Sequence, residues 1–273
     1  MNQWIATILA LGLLGACAPR QQRVLEKAIY QNPESAAAHL ALGRYCFQTG
    51  DYDGALHEYR QAMDLAPQDP AGRSEYGHLL YFTCRYDEAL IQYRMALALE
   101  PDDPRLHLWL GNLYGFLARD QEAEAEYLWL ARQDPKDPEP YVMLGSLYGA
   151  SRDWDRAARA YRQAIARSPR DPSLWIIFGN THAAAGQARE AEPAYRSALA
   201  LDSENAEAWT CLGQLHLSMQ NWKEASADFT AALLADPERA DAQKGLAQAL
   251  AQLQGRIPAQ VRAGQAEGPS RGF

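Results

Sequence analysis

The side chains able to do chemistry in this chain are scattered, and no group of them has the spacing of a reaction centre. Six histidines, His39, His57, His78, His107, His182 and His216, could act as bases or metal ligands. A base needs a nucleophile placed beside it, and a metal needs further ligands at short, regular spacing. The sequence contains no GxSxG, HExxH, phosphate-loop or dinucleotide fingerprint that would supply either. Adjacent carboxylates such as Asp102 and Asp103 stand before a proline, where helix capping explains them better than acid–base chemistry. Cys46, Cys84 and Cys211 show no CxxC or Cys–His spacing. A Cys46–Cys84 disulfide is open in an oxidising compartment, while Cys46 on an inward helix face equally suits a small apolar residue. No catalytic residue, metal or cofactor is expected, and the chain is not expected to be an enzyme. Its net charge of −8, with no basic run, argues against a nucleic-acid partner.

The elements that position these residues are marked by six glycines, Gly43, Gly77, Gly111, Gly145, Gly179 and Gly213, each 34 residues after the last. The residue before each is Leu42, Tyr76, Leu110, Leu144, Phe178 or Leu212. Twelve residues after each comes Ala55, Ala89, Ala123, Ala157, Ala191 or Ala225, where a larger side chain would hold two crossing helices apart. Four residues further an aromatic returns, as Tyr59, Tyr93, Tyr127, Tyr161, Tyr195 and Phe229, expected to fill the gap between neighbouring repeats. Pro67, Pro101, Pro135, Pro169 and Pro237 close the pattern, with Ser203 as the departure. Asp69, Asp103, Asp137 and Asp171 each precede a proline and read as helix starts, since the carboxylate accepts from free first-turn amides and proline there loses no hydrogen bond.

This pattern resembles the tetratricopeptide repeat family, whose signature places Leu-Gly, Ala, an aromatic and Pro at these offsets. The resemblance implies an all-α fold, a right-handed superhelical α-solenoid of antiparallel helix pairs. His39 and His107 then replace the opening Trp, and His182 and His216 a tyrosine after the glycine, so the histidines read as structural. Trp175 and Trp209, at the opening position, read as core. In this family the first helix of each repeat lines a concave groove, with residues three before and one, four and five after the glycine pointing into it. That register nominates Arg44, Phe47, His78, Tyr81, Phe82, Leu108, Asn112, Phe116, Val142, Ile176, Asn180 and Gln214 as peptide-binding residues. Chaperone-binding members clamp a terminal carboxylate with repeated Lys or Arg, and here these rows hold Arg44 alone. Other members hold an extended peptide backbone with an asparagine ladder, of which Asn112, Asn180 and Gln214 make a broken version.

The amino-terminal segment differs in kind. Ile5 to Leu14 is apolar but short for a membrane span, and it ends in Leu14-Gly15-Ala16-Cys17, which resembles the lipobox of bacterial lipoproteins. That resemblance implies a signal peptide over 1–16, lipidation of Cys17 and, since Ala18 is not aspartate, an outer-membrane lipoprotein facing the periplasm. Met1 to Trp4 carries no Lys or Arg, and Ala16-Cys17-Ala18 also fits ordinary cleavage, so a soluble periplasmic protein or an uncleaved anchor stays open. The expected organisation is an anchor segment and half-repeat helix over 17–32, six repeats over 33–239, a capping helix over 240–254 and a disordered tail over 255–273. The expected function is a scaffold that binds an envelope protein or its peptide segment and assists assembly or localisation. A pilotin-like factor for type IV pilus or secretin assembly, and an adaptor for cell-wall or polysaccharide enzymes, are the alternatives.

Overall fold

The computed structural model describes residues 20–256, which are helices and turns throughout. The signal segment, Cys17 and the tail beyond Arg256 lie outside the described residues. Helix α1 covers 20–31. Six antiparallel pairs follow: α2 (Ala36–Thr49) with α3 (Tyr52–Leu65), α4 (Pro70–Phe82) with α5 (Tyr86–Leu99), and α6 (Pro104–Phe116) with α7 (Asp120–Gln133). Then come α8 (Glu139–Ala150) with α9 (Trp154–Arg167), α10 (Pro172–Ala184) with α11 (Ala188–Leu201), and α12 (Ala206–Ser218) with α13 (Trp222–Ala235). Helix α14 (Ala240–Arg256) closes the series and runs two residues into the expected tail. The chain divides into two compact units, one up to Leu130 and one from Ala131.

Helix starts follow the capping logic. Asp69, Asp103 and Asp171 accept the backbone N–H two residues on at 3.0, 2.9 and 2.9 Å, with proline as the first helical residue. Asp137 accepts from Glu139 in the same way at 2.9 Å, but α8 begins one residue later, after Pro138. Asn205 serves α12 through the Ala208 N–H at 2.9 Å. Asp103 is the most enclosed of these caps. Burial alone would raise its pKa, but the Arg105 guanidinium at 2.9 Å and the Arg105 backbone N–H outweigh burial and hold the carboxyl below its usual range. A lowered folded pKa means the stabilisation is present above the unfolded value of about 3.9 and lost as pH falls through the folded one. Asp103→Ala is therefore expected to destabilise the first unit by about 1 kcal/mol at neutral pH, and by progressively less below about pH 4, in urea titrations.

The turn inside each pair needs one left-handed residue. Gly50 and Gly186 supply it at φ 83° and 74°, while Cys84, Ala118, Arg152 and Gln220 adopt φ 61°, 54°, 59° and 59°. A Cβ crowds the following carbonyl in this conformation. Ala118→Gly should therefore raise the unfolding free energy by about 0.5–1 kcal/mol, measured by denaturant titration.

Inside every hairpin an aromatic ring of the second helix lies directly on the glycine of the first. A Cβ built at Gly43, Gly77, Gly111, Gly145, Gly179 or Gly213 would stand 2.6–2.8 Å from the ring of Tyr59, Tyr93, Tyr127, Tyr161, Tyr195 or Phe229. The ring therefore packs inside its own hairpin, a contact that the expectation of a ring between neighbouring repeats did not include. The repeated alanines are fully buried, as the crossing requires. At the end of the series Phe229 also abuts Gly245, and α14 seats Ala242, Leu246 and Ala249 on Ala225, Phe229 and Ala232. Leu250 is 43% exposed, because the two small alanines let α14 approach closely enough to cover the last repeat without it.

The histidines and tryptophans at the opening position share one task. His39 and His107 (through Nε2), Trp175 and Trp209 (through Nε1) and Gln243 all bond a carbonyl six residues earlier, at 2.9–3.2 Å. His39 and His107 are buried and also face Glu58 and Glu126 through Nδ1, whereas Trp175 and Trp209 are only half-buried. The tryptophan indoles thus edge the core while their N–H groups close the preceding turn.

Candidate functional site

The first unit gathers a cleft from a simple register. After Gly43 and Gly77 the next residue meets, 31 positions later, the residue two before the following glycine: Arg44 Nε donates to Glu75 at 2.7 Å, and the His78 and Trp109 rings lie 5.2 Å apart. The ring hydroxyl of the second helix reaches the same row, Tyr93 to His78 at 3.5 Å and Tyr127 to Asn112 at 2.8 Å. A cleft of about 230 Å³ results, lined by His78, Tyr81, Tyr93, Leu108, Trp109 and Asn112. Burial pushes the Tyr127 hydroxyl up to about 12, so it stays protonated and donates to Asn112 Oδ1. The Asn112 amide is thereby fixed with its NH₂ edge, two donors, left for another acceptor. A peptide carbonyl is such an acceptor.

Aromatic rings flank this cleft. Phe47 packs on Phe82 and His78 with centroids 5.4 and 5.7 Å apart, and Tyr52 lies 5.3 Å from Phe82. Tyr86 bridges Tyr81 at 5.7 Å and Phe116 at 4.5 Å. Phe82 and Phe116 remain 55% and 60% exposed, which is unusual for large apolar side chains grouped together. The structure thus brings together Phe47, His78, Tyr81, Phe82, Leu108, Asn112 and Phe116. Arg44 lies in the same row with its guanidinium engaged by Glu75. Trp109, Tyr93, Tyr86 and Tyr52 were not nominated from the sequence. Trp109 carried a readable signal, since its register otherwise holds Ala41, Glu75, Met143, Ile177 and Cys211.

In the second unit the nominated residues part company. Asn180 is exposed and accepts from the Tyr195 hydroxyl at 2.8 Å, and Gln214 is exposed opposite Phe229, which has no hydroxyl to orient it. Val142 is half-buried against Ala164, Ile165 and Leu174. Ile176 is a correction: it is 2% exposed, inside a core with Tyr195, Leu199 and Leu212. Leu108 and Val142 hold the same register and stay half-buried, so it is the packing of α11 and α12 against Ile176, more than its helical position, that encloses it. Leu40 and Thr210, in the same register, are buried as well.

Two further clefts of the second unit involve other residues. One of about 430 Å³ is lined by arginines and tyrosines of α8 and α9, and one of about 520 Å³ includes Trp209, His216 and Asp228. His216 Nδ1 sits 2.5 Å from Asp228 Oδ2, its Nε2 lies 3.6 Å from Glu192, and no serine or cysteine lines that cleft. Among the described residues no group of His, Cys, Asp and Glu could hold a metal ion, and no helix is long and apolar enough to cross a membrane. Cys46, Cys84 and Cys211 are free thiols in this structure, with no Cys46–Cys84 bridge. Burial, chiefly, pushes Cys46 and Cys211 up to about 11, which leaves both as unreactive thiols.

No curated protein matches the chain significantly. Among solved structures, the C-terminal part of a TPR repeat-containing protein from Cytophaga hutchinsonii aligns at TM-score 0.71 and 16% identity, over 84% of this chain and 94% of that one. A tetratricopeptide repeat protein from Parabacteroides merdae aligns at TM-score 0.60 and 18% identity, over 87% and 94%. A chain of the APC/C hetero-tetramer Cut9-Hcn1 aligns at TM-score 0.54 and 18% identity over 85% of this chain, which spans about half, 46%, of that longer one. At these identities the likeness is one of fold. Two family profiles described as Tetratricopeptide repeat match residues 22–70 with 142–206 and residues 47–95 with 182–248. A third, described as TPR repeat, matches 85–115. With its hairpins, ring-on-glycine contacts and matched segments over 22–115 and 142–248, the chain belongs to the tetratricopeptide repeat family.

Proposed function

We propose that this chain is a protein-interaction scaffold whose first unit holds an extended segment of a partner protein. Tetratricopeptide folds bind partner proteins or peptides and are generally non-enzymatic. The observation that carries the reading is the cleft of His78, Tyr81, Leu108, Trp109 and Asn112 with exposed Phe82 and Phe116 beside it. Apolar side chains of the segment occupy the aromatic wall, and the oriented Asn112 amide holds one of its backbone carbonyls. The wall supplies affinity and the amide supplies register, because buried aromatics dominate binding energy while single neutral hydrogen bonds contribute about 1 kcal/mol.

The address of this scaffold rests on sequence alone. Leu14-Gly15-Ala16-Cys17 supports lipidation of Cys17 and a place on the outer membrane, facing the periplasm, where an envelope protein is the partner. Metabolic labelling with an alkynyl fatty acid should mark the wild type and not Cys17→Ser; equal labelling of both would remove the anchor from the account. A crosslinked pull-down from native envelopes should recover one protein with the wild type and at least about tenfold less with Tyr81→Ala, Asn112→Ala and Phe116→Ala combined. Its identity separates assembly of a pilus or secretin from recruitment of a wall or polysaccharide enzyme. Unchanged recovery would place binding outside this cleft.

A further inference from the structure

The α8–α9 hairpin carries a second surface of different chemistry. Arg156, Arg159, Arg162 and Gln163 of α9 wall the cleft of about 430 Å³, over Tyr141, Leu144 and Tyr148 of α8. These α8 residues recur at three- and four-residue spacing and lie on the far side of that helix from Ser146, which belongs to the row after the glycines. Arg156, Arg159 and Arg162 are exposed. Arg156 stacks 4.3 Å over the Tyr148 ring and reaches Asp153 at 2.7 Å, and Arg162 lies 5.7 Å from the Phe178 ring. The register of Arg162 also holds Arg60, Arg94 and Arg196, but at the other two positions the repeat does not call for this charge. The register of Arg156 holds Gly54, Glu88, Glu122, Glu190 and Glu224 in the other repeats, and that of Arg159 holds His57, Ile91, Ala125, Pro193 and Ala227. A chain of net charge −8 has thus reversed the sign at Arg156 and added a positive charge at Arg159, and the two line one cleft.

We infer that this cleft docks an acidic peptide segment of a partner protein, one that places an apolar side chain beside its carboxylates. Guanidinium groups take carboxylates as paired, charge-assisted hydrogen bonds, and the floor of Tyr141, Leu144 and Tyr148 gives the neighbouring apolar side chain a place. A bare phosphate would use the arginines and leave that floor unfilled. The chain's own tail does not fit, since Arg256, Arg262 and Arg271 outweigh Glu267.

The test uses the full chain and fluorescence anisotropy with a labelled peptide alternating Glu and Leu, against the same peptide with Gln for Glu. The acidic peptide is expected to bind at least about tenfold more tightly, and increasing salt should erase the difference. Arg159→Glu with Arg162→Glu should abolish the preference without changing the melting temperature, because both side chains are exposed. Tyr81→Ala with Asn112→Ala should leave it intact. Equal binding of the two peptides, persistence of the preference in the arginine variant, or its loss in the Tyr81 and Asn112 variant would each overturn the inference. So would arginine-dependent binding seen with phosphatidylglycerol vesicles or inorganic phosphate but not with the acidic peptide.

Discussion

Gly145→Ala is expected to destabilise the second unit by about 2 kcal/mol, while Gly149→Ala, one turn later on the same helix, is expected to be neutral or stabilising by up to about 1 kcal/mol. Alanine normally improves a helix relative to glycine, so the first substitution must overcome that gain. The new methyl at 145 would sit 2.6–2.8 Å from three atoms of the Tyr161 ring, whereas at 149 nothing lies within 4 Å. Tyr161 cannot swing aside cheaply, because it is buried and its hydroxyl shares a hydrogen bond with Ser146 at 3.1 Å. Overpacking of this kind forces backbone shifts. Denaturant titrations of the two variants, read against wild type, should therefore move in opposite directions or differ by at least about 2 kcal/mol. Equal effects would mean the ring does not fix the hairpin.

Asp228→Ala should be costlier still, about 3 kcal/mol, because it strips a buried, hydrogen-bonded partner from His216. The pair is enclosed at 8% and 6% exposure with a 2.5 Å contact, and Glu192 at 3.6 Å is too distant to replace it. Removing both polar groups together should be far milder, since a matched apolar replacement avoids the stranded partner. The protein already contains that replacement: two repeats earlier, the positions of His216 and Asp228 hold Tyr148 and Ala160. His216→Tyr with Asp228→Ala is thus expected to lie within about 1 kcal/mol of wild type. If the double variant is as unstable as Asp228→Ala, the two side chains are not coupled.

These residues also show how far the sequence can be read. The 34-residue return of glycine, alanine and aromatic is a local pattern tied to helix geometry, so pairs, turns and most boundaries could be placed from it. The partner of each glycine could not, because the ring arrives from sixteen residues away through a crossing angle that the letters do not encode. The same limit explains Ile176. Whether one stripe of a helix faces core or solvent depends on how closely the next helix approaches, and small residues such as Ala242 and Ala249 decide that. The cleft was legible row by row as His78, Tyr81, Leu108 and Asn112. Trp109 escaped because it stands two before its glycine, outside the rows read as groove-facing, and enters the cleft by reaching back to His78. The reversed charge of Arg156 and the added charge of Arg159 were present in the letters, but only the shared cleft gives them a common use.

The central claim, that the aromatic cleft of the first unit receives a partner segment, is tested most directly by placing a photo-crosslinking amino acid at single positions in cells. At Tyr81 and at Phe116 the account predicts one and the same protein adduct, reduced at least about tenfold by Asn112→Ala with Trp109→Ala in the same chain. Leu234 on α13, 82% exposed and outside the cleft, provides the comparison position. An adduct confined to the cleft positions and sensitive to those substitutions is the predicted result. Adducts of equal yield at Leu234, or none at Tyr81 and Phe116, would contradict it.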